Sequence, residues 1–146
     1  MRNLAAALLL LPTISLGQVS YYFDNSVPYD ESEAEEYIYS MFQVRPGDDC
    51  RVSFLSAGEY ENRYGEDSKA IQFDSPCRIY FNGWYYPPLF GVSEHFYALL
   101  AHEIGHAQGL EHNLDQPESI MYPTVGPESV MTVADKINLW LLRRGQ

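Results

Sequence analysis

The sequence predicts an α+β fold, an α/β sandwich in which a small mixed sheet of about four strands packs against three helices. Segments with strand periodicity dominate the first half of the chain, with one helical segment after the first of them. Two helical segments follow in the second half. A core of this kind suits the 146 residues as a single domain.

The first half supplies the predicted strands and one helix. Residues 19–24 alternate apolar and polar side chains, which indicates a strand. Residues 30–42 place apolar side chains on one face and begin with an acidic turn, so we expect an amphipathic helix. Further short strands are expected at residues 52–55, 70–73 and 78–81.

The segments between these elements are polar, acidic or aromatic. Residues 56–68 contain two glycines and predict a surface loop. The aromatic and proline-rich segment 83–90 is compatible with a cleft wall and equally with a loop that packs its rings on the core. A solvated helix face is the preferred interpretation, over a calcium site, for the acidic cluster Glu31, Glu33, Glu35 and Glu36.

Two helices are expected near the end of the chain. Ser93 is a suitable N-cap for the first of them. The apolar run 96–101 belongs to this helix and leads into residues 102–112. The second begins at a capping-box pattern, Thr132 and Asp135. We expect it to pack through a shared face formed by Val133, Ile137, Trp140 and Leu141.

Residues 102–112 carry the chemistry, because three of the four histidines fall there. His102 and His106 are four apart and share one helix face, and Glu103 lies beside them. Gly109 can take the left-handed conformation that ends a helix, and the turn delivers His112. Three nitrogen ligands with an open fourth position define a catalytic zinc site. The alternative is a helix with surface histidines. The fourth histidine, His95, would lie about 10 Å from His102 along a helix, which is too far away to share the metal.

The pattern His-Glu-x-x-His-x-x-Gly-x-x-His, followed by Ser119-Ile120-Met121-Tyr122-Pro123, resembles the metzincin metallopeptidases with their Met-turn. Within them the chain is most similar to the matrixins, the matrix metalloproteinase family. That resemblance implies a twisted sheet whose edge strand pairs with an extended substrate, and we assign this edge to residues 70–73.

The same resemblance assigns roles around the metal. Met121 is expected to form a hydrophobic floor, and Asp135 to support the Met-turn. Pro123, Thr124 and Val125 are expected to form one wall of the pocket for the residue after the cut bond. Ala98 corresponds to a position that limits the depth of this pocket, so a small residue there predicts a preference for a bulky apolar side chain.

The predicted reaction is hydrolysis of peptide bonds by a secreted zinc endopeptidase. One Zn²⁺ held by His102, His106 and His112 would lower the pKa of a bound water, and Glu103 would act as general base. The alternative is a zinc-binding recognition module without turnover, or one dedicated to a narrow substrate. Glu103 favours the enzyme, because metal binding alone does not require it.

Residues 1–17 predict a signal peptide, with a basic start, an apolar run too short to span a bilayer and small residues before position 18. A membrane anchor is the alternative. Residues 18–146 would then form the catalytic domain, extracellular or, in a bacterium, periplasmic. We expect no propeptide, no second zinc site and no haemopexin-like domain.

Cys50 and Cys77 are the two cysteines, and each precedes a predicted strand. In a secreted protein this number favours a disulfide, with a free thiol that ligates zinc as the alternative.

The formal charge of −11 makes nucleic acid and anionic membranes poor partners. Solubility outside the cell explains this charge better than a preference for basic substrates. The expected partner is a protein or peptide substrate, and the expected state is a monomer.

Overall fold

The computed structural model describes residues 18–28, 30–65, 68–74, 76–85 and 94–145. The predicted signal peptide at residues 1–17, the N-cap at Ser93 and residues 86–90 of the aromatic segment lie outside this part. Within it, no helix is both long and apolar enough to cross a bilayer.

The described part of the chain contains four strands and four helices. The strands are β1 (Tyr21–Phe23), β2 (Cys50–Leu55), β3 (Ala70–Asp74) and β4 (Cys77–Asn82). The helices are α1 (Glu31–Phe42), α2 (Ala57–Tyr64), α3 (Glu94–Ala107) and α4 (Val133–Arg143).

The strands form one mixed sheet in the order β1-β2-β4-β3. β1, β2 and β4 run parallel, whereas β3 is antiparallel to β4, with Ala70 opposite Phe81. This arrangement confirms the predicted α+β fold with a mixed four-stranded sheet. It also places the strand at residues 70–74 on the edge of the sheet, as expected.

Helices α1 and α3 cover one face of the sheet. Because side chains alternate along a strand, Val52, Ile79 and Phe81 point to this face and are fully buried. Phe96 of α3 packs there against Phe81, with 5.0 Å between ring centroids. The core therefore fixes α3, the helix with the histidines, directly against the sheet.

Helix α2 occupies a segment that was predicted to be a loop, so the described residues form one helix more than expected. Its polar sequence hides the helix, but a complete capping box links Ser56 and Glu59. Tyr60 is fully buried, and Tyr64 stacks on Tyr80 with 5.9 Å between ring centroids. Since Tyr80 points away from Phe81, α2 covers the other face of the sheet near β4.

The prediction for the packed face of α4 was wrong. The exposed fractions of Val133, Ile137 and Trp140 are 72, 52 and 50%. The buried side chains are instead Leu139 and the charged Asp135. Apolar periodicity selects one side of a helix, but here the hydrogen bonds of Asp135 turn the opposite side inward.

Cys50 and Cys77 form a disulfide, as expected, and no described cysteine is free. They are the first residues of β2 and β4, which are adjacent parallel strands, and their Cα atoms lie 4.6 Å apart. The bond closes a loop with a sequence separation of 27 residues that contains all of α2 and β3.

We predict that replacing both cysteines with alanine lowers the free energy of unfolding by about 3–4 kcal/mol, because the open chain gains conformational entropy when it unfolds. Denaturant titration of the oxidised parent and the double variant measures the difference. An equal free energy of unfolding in the two proteins would contradict this role of the disulfide.

Candidate metal centre

Helix α3 presents two imidazole rings to one point. His102 and His106 are separated by one helical turn, and their Nε2 atoms lie 3.0 Å apart. His102 is buried, and His106 is partly exposed. The helix thus supplies two of the three predicted ligands, with a spacing that the sequence predicts.

A glycine turn delivers the third ring. Gly109 has a φ of +92°, which a residue with a side chain rarely adopts. The amide of Leu110 donates a hydrogen bond of 3.0 Å to the carbonyl of Gly105, which closes the helix end. His112 Nε2 then lies 3.2 Å from that of His106 and 3.3 Å from that of His102.

Two backbone carbonyls fix the orientation of the first two rings. His102 Nδ1 donates to the carbonyl of Ile120, and His106 Nδ1 donates to the carbonyl of Leu110, both at 2.8 Å. A carbonyl oxygen can only accept, so the proton of each neutral ring is on Nδ1. Their Nε2 lone pairs therefore point at the common centre, which is the tautomer that metal ligation requires.

The nitrogen positions fit a tetrahedral zinc ion. With zinc–nitrogen bonds of about 2.0–2.1 Å, ligand nitrogens in a tetrahedron lie about 3.3 Å apart. Burial, with the two neighbouring rings, lowers the pKa of His102 to about 4, which keeps this ring neutral at physiological pH. Among the described residues, these three are the one group of potential ligands that converges within 4.8 Å.

Glu103 lies next to this centre, and it forms no ion pair with another described residue. Its exposed fraction is 6%, and burial raises the pKa of its carboxyl group to about 7. It lines the same cleft as the three histidines. A carboxyl group with this pKa can both accept and return a proton near neutral pH.

The chain segment beneath the centre is held by hydrogen bonds. The fully buried Met121 lies so close to α3 that a Cβ on Gly105 would overlap its sulfur atom. The amide of Met121 donates to Ser119 Oγ at 2.8 Å, and that hydroxyl donates to Asp135 Oδ2 at 2.7 Å. Asn113 Nδ2 also donates to Asp135, at 3.0 Å. Asp135 thus ties α4 to the segment whose Ile120 carbonyl orients His102.

A cleft of about 510 Å³ runs past the centre between β3 and the segment after Met121. Pro123, Thr124 and Val125 line it, as they would if they formed a pocket wall. The structure does not bring Ala98 to the cleft, because this residue is fully buried in the core. Leu99, the next residue on the helix, lines the cleft instead.

Sequence analysis missed several lining residues. His95 lines the cleft although it is not one of the converging ligands, and so do Ser68 and Lys69 just before β3. Ala70, Ile71 and Gln72 also line it, and they belong to the strand that the sequence analysis assigned to the substrate edge. Their position next to this edge strand was the signal that could have identified Ser68 and Lys69. The signal that could have identified His95 is its position, two helical turns before His102 and on nearly the same helix face.

Three histidines, a buried carboxylate and a methionine turn beneath them define the class of zinc-dependent metallopeptidases. The model of the Matrixin family matches residues 14–138, and the chain belongs to this family. Matrixins are zinc metallopeptidases, so the three histidines are positioned for the metal that the family uses. A comparison with curated proteins finds no match.

We predict that Gly105→Ala destabilises the protein by about 1–3 kcal/mol, because its methyl group would displace Met121. Gly58→Ala is the matched control: it also lies in a helix, and nothing is within 4 Å of its added Cβ. Thermal unfolding of the two variants measures the difference. Equal melting temperatures would contradict the close packing of Met121 against α3.

We predict a pH-dependent gain in stability for Glu103→Gln in the metal-free protein. A folded-state pKa of about 7, against an ordinary value of 4.5, means that the parent carries the full penalty for the buried charge above about pH 7 and that this penalty declines as the pH falls from 7 towards 4.5. Relative to the parent, the variant should gain about 2 to 3 kcal/mol more at pH 8 than at pH 5. Denaturant unfolding at pH 5 and pH 8 in the presence of a chelator measures this difference in the free energy of unfolding. Glu61→Gln, at an exposed position, is the control. A gain in stability that does not depend on pH would contradict the burial effect.

Proposed function

We propose that this protein is a secreted zinc endopeptidase that cleaves peptide bonds in extended protein or peptide segments. The observation that carries the proposal is the buried Glu103 beside three converging Nε2 atoms. A binding module needs the three histidines but has no use for a buried carboxylate, whose charge is costly to bury.

Each residue of the centre has a distinct role in this reaction. His102, His106 and His112 would hold the zinc ion, which when bound supplies a Lewis acid that activates water and polarises the substrate carbonyl. Glu103 takes a proton from the attacking water and returns it to the leaving amine. Met121 and Asp135 do not react; they maintain the floor and the orientation of His102.

The substrate would lie along the outer edge of β3. This strand has β4 on one side, and its residues Ala70, Ile71 and Gln72 line the cleft on the other. An extended peptide can add to such an edge through main-chain hydrogen bonds, which places its carbonyl groups past the metal centre. Pro123, Thr124 and Val125, with Leu99, would contact the side chain after the cut bond.

Secretion is supported by the composition of residues 1–17 and by the disulfide. A basic start and a short apolar run are typical of a signal peptide. The bond between Cys50 and Cys77 is typical of an oxidising compartment. Matrixins are typically secreted, which agrees with both.

The mechanism predicts that Glu103→Ala abolishes turnover while the metal remains bound. Residues 18–146 of the parent and of the variant would be loaded with zinc and tested on a diverse peptide library. We expect cleavage by the parent and a loss of at least about 100-fold in kcat in the variant, at unchanged zinc content. Exposed Glu61→Ala is the matched control and should cleave like the parent.

Two outcomes would contradict the proposal. Cleavage by both proteins would exclude Glu103 as the general base. Cleavage by neither, with zinc bound in both, would favour a recognition module on the same fold.

A further inference from the structure

Tyr60 carries a buried hydroxyl group that the reaction above does not use. The side chain is fully buried between α2 and the sheet. Within the described residues its hydroxyl makes one hydrogen bond, 2.7 Å long, to Ser68 Oγ. The contact joins α2 to the segment that leads into β3.

Either oxygen could donate in this hydrogen bond, and we assign the donated proton to Tyr60 because its hydroxyl group is buried. A buried hydroxyl group must place its proton on an acceptor, and Ser68 Oγ is the acceptor that the described structure offers. If Tyr60 donates, the proton of Ser68 is available for another group. A hydroxyl that accepts one hydrogen bond is also a stronger donor in the next.

Ser68 faces the catalytic cleft. It lines the same cavity as Glu103 and the three histidines, and it precedes β3 by two residues. Burial raises the pKa of Tyr60, the hydrogen bond with Ser68 lowers it, and the negative charge of Glu103 raises it, so this ring lies within electrostatic range of the general base. The hydroxyl pair therefore lies at the start of the edge strand on which the substrate is proposed to lie.

We infer that Ser68 is a substrate-contacting residue that donates a hydrogen bond to a carbonyl oxygen of the bound peptide, and that Tyr60 is the positioning residue that holds its hydroxyl group. The inference rests on the proposed function and adds a side-chain contact to the main-chain pairing along β3. Such a donor binds any extended peptide, so it contributes to affinity and rate without selecting a side chain.

The test compares single-atom deletions in zinc-loaded protein. Tyr60→Phe and Ser68→Ala each remove one hydroxyl and should lower kcat/KM for a peptide substrate by about tenfold, the value of one hydrogen bond. The double variant should lose no more than either single variant, because the two groups act in series. Ser68→Thr keeps the hydroxyl and should restore most of the activity.

Tyr64→Phe is the matched control, because it removes a tyrosine hydroxyl from the same helix and should change kcat/KM less than about twofold. Zinc content and melting temperature are measured for every variant. Parental kcat/KM in Ser68→Ala, or a loss that follows zinc content alone, would overturn the inference.

Peptide binding separates this inference from the proposed function. In the zinc-loaded Glu103→Ala background, adding Ser68→Ala should weaken binding of a labelled peptide about tenfold. If the parent does not cleave, the proposed function fails, and binding alone decides on Ser68. Tenfold weaker binding would support its role, whereas unchanged binding, or no binding in either protein, would overturn it.

Discussion

The convergence of three imidazole lone pairs on one point is the constraint on which the rest of the structure depends. Nε2 atoms 3.0 to 3.3 Å apart repel one another unless a cation lies between them. The protein holds them there by backbone means: one helical turn separates His102 from His106, and a left-handed glycine brings in His112. The carbonyl groups of Ile120 and Leu110 then fix the tautomer of the first two rings.

Residues farther from the metal centre keep the three histidines and Glu103 in position. Asp135 binds Ser119 and Asn113, which keeps the Ile120 carbonyl in place behind His102. Packing of α3 against the sheet buries Glu103, and the same burial raises its pKa to about 7. Stability and reactivity therefore conflict at this residue, because the environment that makes Glu103 a useful base also makes its charge costly.

Local patterns in the sequence predicted the metal ligands, the sheet and its edge strand, since each depends on spacing or periodicity over a few residues. The predictions failed where a distant partner decides the outcome. The polar segment 56–68, with its two glycines, predicted a loop, and helix α2 within it is held by contacts of Tyr64 with Phe73 of β3 and Tyr80 of β4. Helix α4 does have an apolar face, but that face is exposed. The hydrogen bonds of Asp135 bury the opposite face instead. Ala98 lies in the core and Leu99 lines the cleft, because neighbouring residues of a helix point about 100° apart.

X-ray absorption spectroscopy of the zinc-loaded protein tests the central claim most directly, because it reports the number and type of atoms bound to the metal. We expect one zinc ion per chain, with three imidazole nitrogens at about 2.0–2.1 Å and one oxygen atom that does not come from the protein. A fourth ligand from the protein, such as sulfur or the imidazole of His95, would make the site a closed structural one. That result, or a failure to bind zinc, would contradict a catalytic centre at His102, His106 and His112.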